Sequence, residues 1–514
     1  MTPLGRAALL ALTAALFSGC PSSNSPPKNT IPVSPSPPLP VSSSPPPSPS
    51  PPPLFSNWPT PTLALVLSGQ QLGHIEPCGC SGLENQKGGL ARRHTLIKQL
   101  AEDRRWPVVP LDVGSQVNRF GKQQEIKFEY VVKGLRAMGY RGIALGEGDL
   151  NLSPGSLLAA IAGDDQKAND FLSANVAVLA RDLQPRFAVL EAAGKRIGVT
   201  AVLGEKYEQR LRGDEIVHEP PLAALRKAAS EMKEQKCDLN ILLAHAPIEE
   251  ARWLARDVPL FDLVIASGET PLPSQELEQV EGTRTRLLQT GKKAMYIAVI
   301  GVFDDPKTPF RYESVPLDAR FSDSPAMLKL LADYQETLKL LGLEDLGIKL
   351  QPHPSGRKFV GSEKCGECHS KAYEKWSKTP HAHATDSIVT PPNTRGDIAR
   401  HFDPECLSCH VTGWDPQKYF PYDSGYLSLT RTPLMQHNGC ENCHGPGSAH
   451  VAAQSGEGNF SEAEIARLRD EMKLPLAGAE RKCLECHDED NSPDFHKPGA
   501  FEKYWQEIEH RGKD

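Results

Sequence analysis

Short, almost wholly apolar runs recur along the first two thirds of the chain, separated by stretches with helical spacing of apolar residues. Leu63-Ala64-Leu65-Val66-Leu67, Val108 to Asp112, Gly142 to Leu145, Leu239 to Leu243 and Leu263 to Ile265 have strand length and little polar alternation, the pattern of buried strands. Glu129 to Met138 and Leu222 to Met232 carry the helical period between them. This order predicts an α/β domain over 61–321, with strands flanked by helices. Arg186 to Leu203 and Thr283 to Val302 are expected to add hairpins. In a linker over 322–355, Leu328, Leu331, Tyr334, Leu338 and Leu341 mark a packing helix from Ala326 to Leu341 that Gly342 is placed to stop. From 356 to 514 aliphatic residues thin out, so side chains alone would make a poor core.

The chain opens with Arg6, an apolar run from Ala7 to Phe17, and Ser18-Gly19-Cys20. That run falls short of the roughly 20 apolar residues that span a bilayer. It resembles a bacterial lipoprotein signal peptide over 1–20, which implies that Cys20 is lipidated. Residues 21–60 are dominated by Pro and Ser and are expected to stay an unfolded, extended stalk. At roughly 3.1 Å per residue it would reach on the order of 100 Å. The expectation is a chain tethered by lipid alone on the periplasmic or cell-surface side. Its formal net charge of -7, with no basic block, argues against a nucleic-acid partner.

The sparse final region holds four copies of C-x-x-C-H: Cys365, Cys368 and His369; Cys406, Cys409 and His410; Cys440, Cys443 and His444; Cys483, Cys486 and His487. Each is the attachment signature of a c-type haem, two thiols for the porphyrin and an adjacent imidazole for iron. Zinc knuckles and redox dithiols share C-x-x-C, but a zinc knuckle does not need the following histidine, and a redox dithiol normally stands alone. The expected cofactors are four c-type haems, supplying much of the region's buried apolar surface. Beyond these eight cysteines and Cys20 remain Cys78, Cys80 and Cys237, an odd number that leaves a thiol free or ligating. Cys237 is expected in the core. His74, Glu76, Cys78 and Cys80 are either a loop with structural thiols or a soft-metal site.

Gly88-Gly89-Leu90-Ala91-Arg92, Leu111-Asp112-Val113-Gly114-Ser115, Ala144-Leu145-Gly146-Glu147-Gly148-Asp149 and Leu243-Ala244-His245 make the α/β region resemble the metallophosphoesterase domain of the 5'-nucleotidase family. Members bind two divalent metals that activate water against a phosphate ester. The correspondence breaks at the ligands: Ser115 replaces an Asp, Glu147 and Gly148 replace Asn-His, and Ser267-Gly268-Glu269-Thr270 replaces a Gly-His-x-His. His245 alone is left as a plausible ligand, so a phosphoesterase is the least favoured function.

The final region, 356–514, is similar to the cytochrome c-554 family, an expected mostly helical, haem-packed fold. The resemblance rests on Phe359-Val360-Gly361-Ser362, Trp376-Ser377-Lys378-Thr379-Pro380-His381-Ala382, Cys409-His410-Val411-Thr412-Gly413, Cys443-His444-Gly445-Pro446-Gly447-Ser448-Ala449-His450 and Tyr504-Trp505-Gln506-Glu507-Ile508-Glu509-His510. It implies an electron carrier with three bis-histidine haems and one whose sixth position is open. His381 matches a family position. With His450 and His510 it makes the expected set of distal ligands, while His401 and His437 are open either way and His383 and His496 are expected to face solvent. Electron exchange with redox partner proteins is the favoured function. The alternative is a redox enzyme acting on a small nitrogen or sulfur species at an open haem.

Overall fold

The computed structural model describes residues 53–77, 86–162, 170–211, 213–391, 397–489 and 491–512. Cys20, the Pro/Ser stalk, Cys78 and Cys80 lie outside the described residues.

Two six-stranded sheets face each other. The first orders Phe310–Pro316, Tyr296–Val302, Leu63–Ser68, Val108–Asp112, Ile143–Ala144 and Phe171–Leu172. The second orders Glu278–Gln279, Arg286–Gln289, Leu263–Ala266, Leu239–His245, Lys195–Leu203 and Phe187–Ala192. Strand periodicity explains why the apolar runs are continuous. Leu63, Leu65 and Leu67 point between the sheets toward Ile197, Val199, Ile241 and Leu243. Ala64 and Val66 point the other way, into a cluster with Leu96, Phe128, Val131 and Leu135 of the covering helices Leu90–Lys98 and Lys122–Ala137. Helices Pro221–Glu234 and Ile248–Asp257 cover the second sheet's outer face through Leu225, Met232 and Leu254. Every inner strand is thus buried on both faces.

The run Phe187 to Leu203 is the expected antiparallel hairpin. The expected hairpin at Thr283 to Val302 does not form. Arg286–Gln289 pairs with Leu263–Ala266 in the second sheet, whereas Tyr296–Val302 pairs with Leu63–Ser68 in the first. Both segments fill two-sided burial positions, Leu287 and Leu288 in one sheet and Ile297 and Val299 in the other. Lys293 and Ala294, both at positive φ, carry the chain from one sheet to the other. Cys237 has a free thiol and is half-buried, not in the core, because it sits in the turn before Leu239–His245.

The linker helix spans Pro325–Asp345 and buries Met327, Leu331, Tyr334 and Leu338. Gly342 interrupts it at φ 64°, a conformation that costs glycine little. Beyond it, short helices surround one small cluster of Phe359, Ile388, Leu407, Val411, Trp414, Tyr426 and Met435. This region is docked firmly on the α/β part. Ile398 enters the main apolar cluster, and the Arg400 guanidinium grips the Glu76 carboxylate at 2.7 and 2.8 Å. Residues Leu54–Asp514 form one compact unit.

Candidate functional site

Each C-x-x-C-H motif is wound as a helical turn. His369 N–H donates to Cys365 O at 3.0 Å and His487 N–H to Cys483 O at 2.9 Å, while helices Pro404–His410 and Cys440–His444 contain the other two. Cysteines three apart then share a face, and the next residue's imidazole rises beside them. The turns pack so that thiols from different motifs meet: Cys365 with Cys440, and Cys409 with Cys486. Cys443 and Cys483 are also close enough to interact.

The imidazoles are paired across motifs. His369 faces His450 with ring centroids 6.3 Å apart, His487 faces His381 at 6.0 Å, and His444 faces His510 at 5.7 Å. A metal ion held between two ring nitrogens at about 2 Å from each places the centroids roughly 6 Å apart. The Nδ1 atoms of His410 and His444 lie 2.7 Å from Ala384 O and Met472 O, and that of His487 lies 3.0 Å from Ser492 Oγ. Nδ1–H donation of this kind leaves Nε2 as the ligating nitrogen. The donor set fits haem iron at all four motifs. At three of them a second imidazole stands opposite. No ring faces His410 at that separation among the described residues.

Local hydrogen bonds set these distances. The Glu441 carboxylate inside motif three accepts Val360 N–H, Gly361 N–H at 2.7 Å and Gly447 N–H at 2.8 Å. It thereby ties motif one to the start of helix Ser448–Ser455, which carries His450. Lys375 donates to Gln506 O and Glu509 O at the end of helix Ala500–Ile508, favourable for a cation at a helix C-terminus, and so fixes the segment leading to His510. Asn438 N–H on His381 O anchors the turn Pro380–His383. Of the other histidines, His383 is exposed and faces His437 at 6.3 Å, and His496 Nε2 lies 2.9 Å from His487 O. His401 and His437 have buried Nδ1 atoms without a hydrogen-bond partner among the described residues.

Motif two has a separate environment that sequence reasoning missed. Asp403 caps its helix and accepts from Gln123 at 2.7 Å and Gln335 at 3.0 Å. Glu405 accepts from Lys127 at 2.5 Å, Gln124 at 2.7 Å and Arg119 at 3.4 Å. Burial opposes the Glu405 charge, but Lys127 and Arg119 outweigh it and bring its pKa to about 2. The acidic pair before Cys406 was the available signal, with no way to see its partners from sequence.

At the ends of strands Leu63–Ser68 and Val108–Asp112 buried polar groups of the chain bond one another. Arg93, fully buried, donates to Ser68 Oγ at 3.3 Å and to Gln71. Ser68 donates to Asp112 at 2.5 Å, and the other Asp112 oxygen accepts Gly114 N–H and the Gln116 amide. Asp149 accepts four backbone N–H groups, from Ser115, Gln116, Val117 and Gly146. Burial pushes its pKa up to about 7 against those donors. His245 is used at both nitrogens, with Val113 O at 2.8 Å and Ser115 Oγ at 3.3 Å, so it does not stand ready for a metal. A Cβ on Gly148 would lie 1.9 Å from Val117 O, so a histidine cannot occupy that position without moving the loop. Glu147 turns outward to Arg210. Among the described residues no three His, Cys, Asp or Glu side chains converge as a metal site.

Residues 364–445 match the sequence profile of the cytochrome c554 and c-prime family. The chain is 28% identical over 148 residues to cytochrome c-554 of Nitrosomonas europaea, a match covering 25% of this chain and 57% of that protein. Among solved structures it is similar to a 5'-nucleotidase precursor from Thermus thermophilus, with 21% identity, TM-score 0.46, and coverage of 54% of this chain and 59% of that one. It is also similar to a calcineurin-like phosphoesterase from Bacillus subtilis, with 14% identity, TM-score 0.43, and coverage of 54% and 97%. The C-terminal region is thus a cytochrome c554 domain that follows an α/β sandwich.

Proposed function

We propose that this chain is an extracytoplasmic tetrahaem cytochrome, held by a lipid on Cys20 at the end of a Pro/Ser stalk, that passes electrons between redox partner proteins. The observation carrying the reading is the set of three facing imidazole pairs, His369 with His450, His487 with His381, and His444 with His510. Cys365 and Cys368, Cys406 and Cys409, Cys440 and Cys443, and Cys483 and Cys486 would hold the porphyrins. Bound haem supplies one-electron chemistry, and a six-coordinate iron favours transfer over ligand binding. Thiols of motifs one and three meet, as do those of motifs two and four, which supports closely spaced redox sites.

A second reading has its own observation. His410 lacks a facing imidazole among the described residues, which favours an open coordination position at motif two and a small nitrogen or sulfur species as ligand. Phosphate-ester hydrolysis is disfavoured because Asp112, Asp149 and His245 are each committed to internal hydrogen bonds.

The test is intact mass and low-temperature electron paramagnetic resonance of the oxidised holoprotein. Four covalent haems with three low-spin signals and one high-spin signal are expected. Fewer haems, or four low-spin signals, would overturn the tetrahaem or the open-site assignment respectively. Replacing His381, His450 or His510 by alanine should each convert one low-spin signal to high spin.

A further inference from the structure

Among the described residues, the motif without a facing imidazole is held against the α/β sandwich through Glu405. Besides helix Lys122–Ala137, the contact is made by the segment after strand Val108–Asp112, whose backbone is fixed in place by Asp149: three of the four N–H groups that this carboxylate accepts belong to Ser115, Gln116 and Val117. Two residues further on, Arg119 leaves the sandwich. Its guanidinium carbon stands 4.2 Å from the centre of the Tyr419 ring, and its Nη1 lies 3.4 Å from Glu405 Oε1, next to Cys406. Tyr419 holds a left-handed backbone at φ 59°, a strained state for a bulky residue that persists where surroundings enforce it.

We propose that Arg119 is a positioning residue for the second haem: the sandwich lends the cytochrome region a fixed positive charge beside motif two, stacked on Tyr419, that favours the reduced state of that centre over the other three. A cation near a redox site stabilises the state with one more electron, and partial burial weakens solvent screening of the effect. Lys127 pairs with Glu405 at 2.5 Å and faces Asp403 beside it, while Arg119 lies farther out, 3.4 Å from Glu405, and stacks on Tyr419, so of the two cations it is the less closely paired. The loop that serves a metal site in the family the sandwich resembles would here serve a haem instead. The inference rests on the tetrahaem reading.

The experiment is a redox titration of the full holoprotein, followed optically, for the wild type, Arg119→Gln, Arg119→Lys and Lys133→Gln. Lys133 lies on the exposed side of helix Lys122–Ala137, paired with Glu129, and its loss controls for net charge alone. A single component should move to lower potential in Arg119→Gln, return most of the way in Arg119→Lys, and stay in place in Lys133→Gln. The inference is overturned if no component moves in Arg119→Gln, or if all move together. Spin state is scored separately: a wild type without a high-spin signal contradicts the open site at motif two, while the one-component shift still decides the role of Arg119.

Discussion

Burial holds the His245 imidazole neutral down to about pH 4, against an ordinary value of 6.5. Between those values the unfolded chain binds a proton that the folded chain refuses, so stability falls as pH drops through that window. The loss reaches about 3 kcal/mol near pH 4. His245→Gln should flatten this slope, which denaturant unfolding at pH 7 and pH 4.5 would show; an unchanged slope would place the proton uptake elsewhere. Gly148→His tests the closed metal place in the same way. Because Val117 O stands where the new Cβ would go, the variant should lose about 2 kcal/mol or more and bind no manganese by calorimetry. A stable variant that gains manganese-dependent phosphatase activity would show that the site is one residue from function. The sequence already displayed the missing ligands. It did not display Arg93, because a buried guanidinium bonded to Ser68 and Gln71 has no motif.

At the scale of elements, the helix Pro404–His410 is one place where the two parts of the molecule are joined, alongside Ile398 and the Arg400–Glu76 pair. Lys127, almost fully buried, has Glu405 as its ion-pair partner, and removing one member of a buried pair strands the other. Lys127→Met should cost about 3 kcal/mol of stability in thermal or denaturant unfolding, with the spectral signature of motif two disturbed before the others. A loss below about 0.5 kcal/mol would mean that the interface does not depend on this pair. The strands and the linker helix were readable from the sequence because two-sided burial leaves continuous apolar runs, and Leu331, Tyr334 and Leu338 keep the helical period. The same runs misled at Thr283 to Val302. Two adjacent buried strands look like a hairpin, and only the sheet order shows that they belong to different layers.

For the whole molecule, apolar burial is uneven. The sandwich has continuous cores on three levels, whereas the cytochrome region has one small cluster around Trp414 and Tyr426. Protein made without haem-attachment machinery should therefore keep a folded sandwich and lose ordered structure after about residue 359, as hydrogen exchange would report. Full protection of the C-terminal region without haem would show that the side chains suffice. The four motifs were plain in the sequence, and so were His381, His450 and His510 as candidates; which imidazole meets which depends on packing that the spacing does not encode. The most direct measurement is an experimental structure of the oxidised holoprotein with iron-to-nitrogen distances. Irons between His369 and His450, His487 and His381, and His444 and His510, with His410 as the sole protein ligand of the fourth, are the expected result. An iron bound by a different pair, or a second histidine on the iron at motif two, would contradict it.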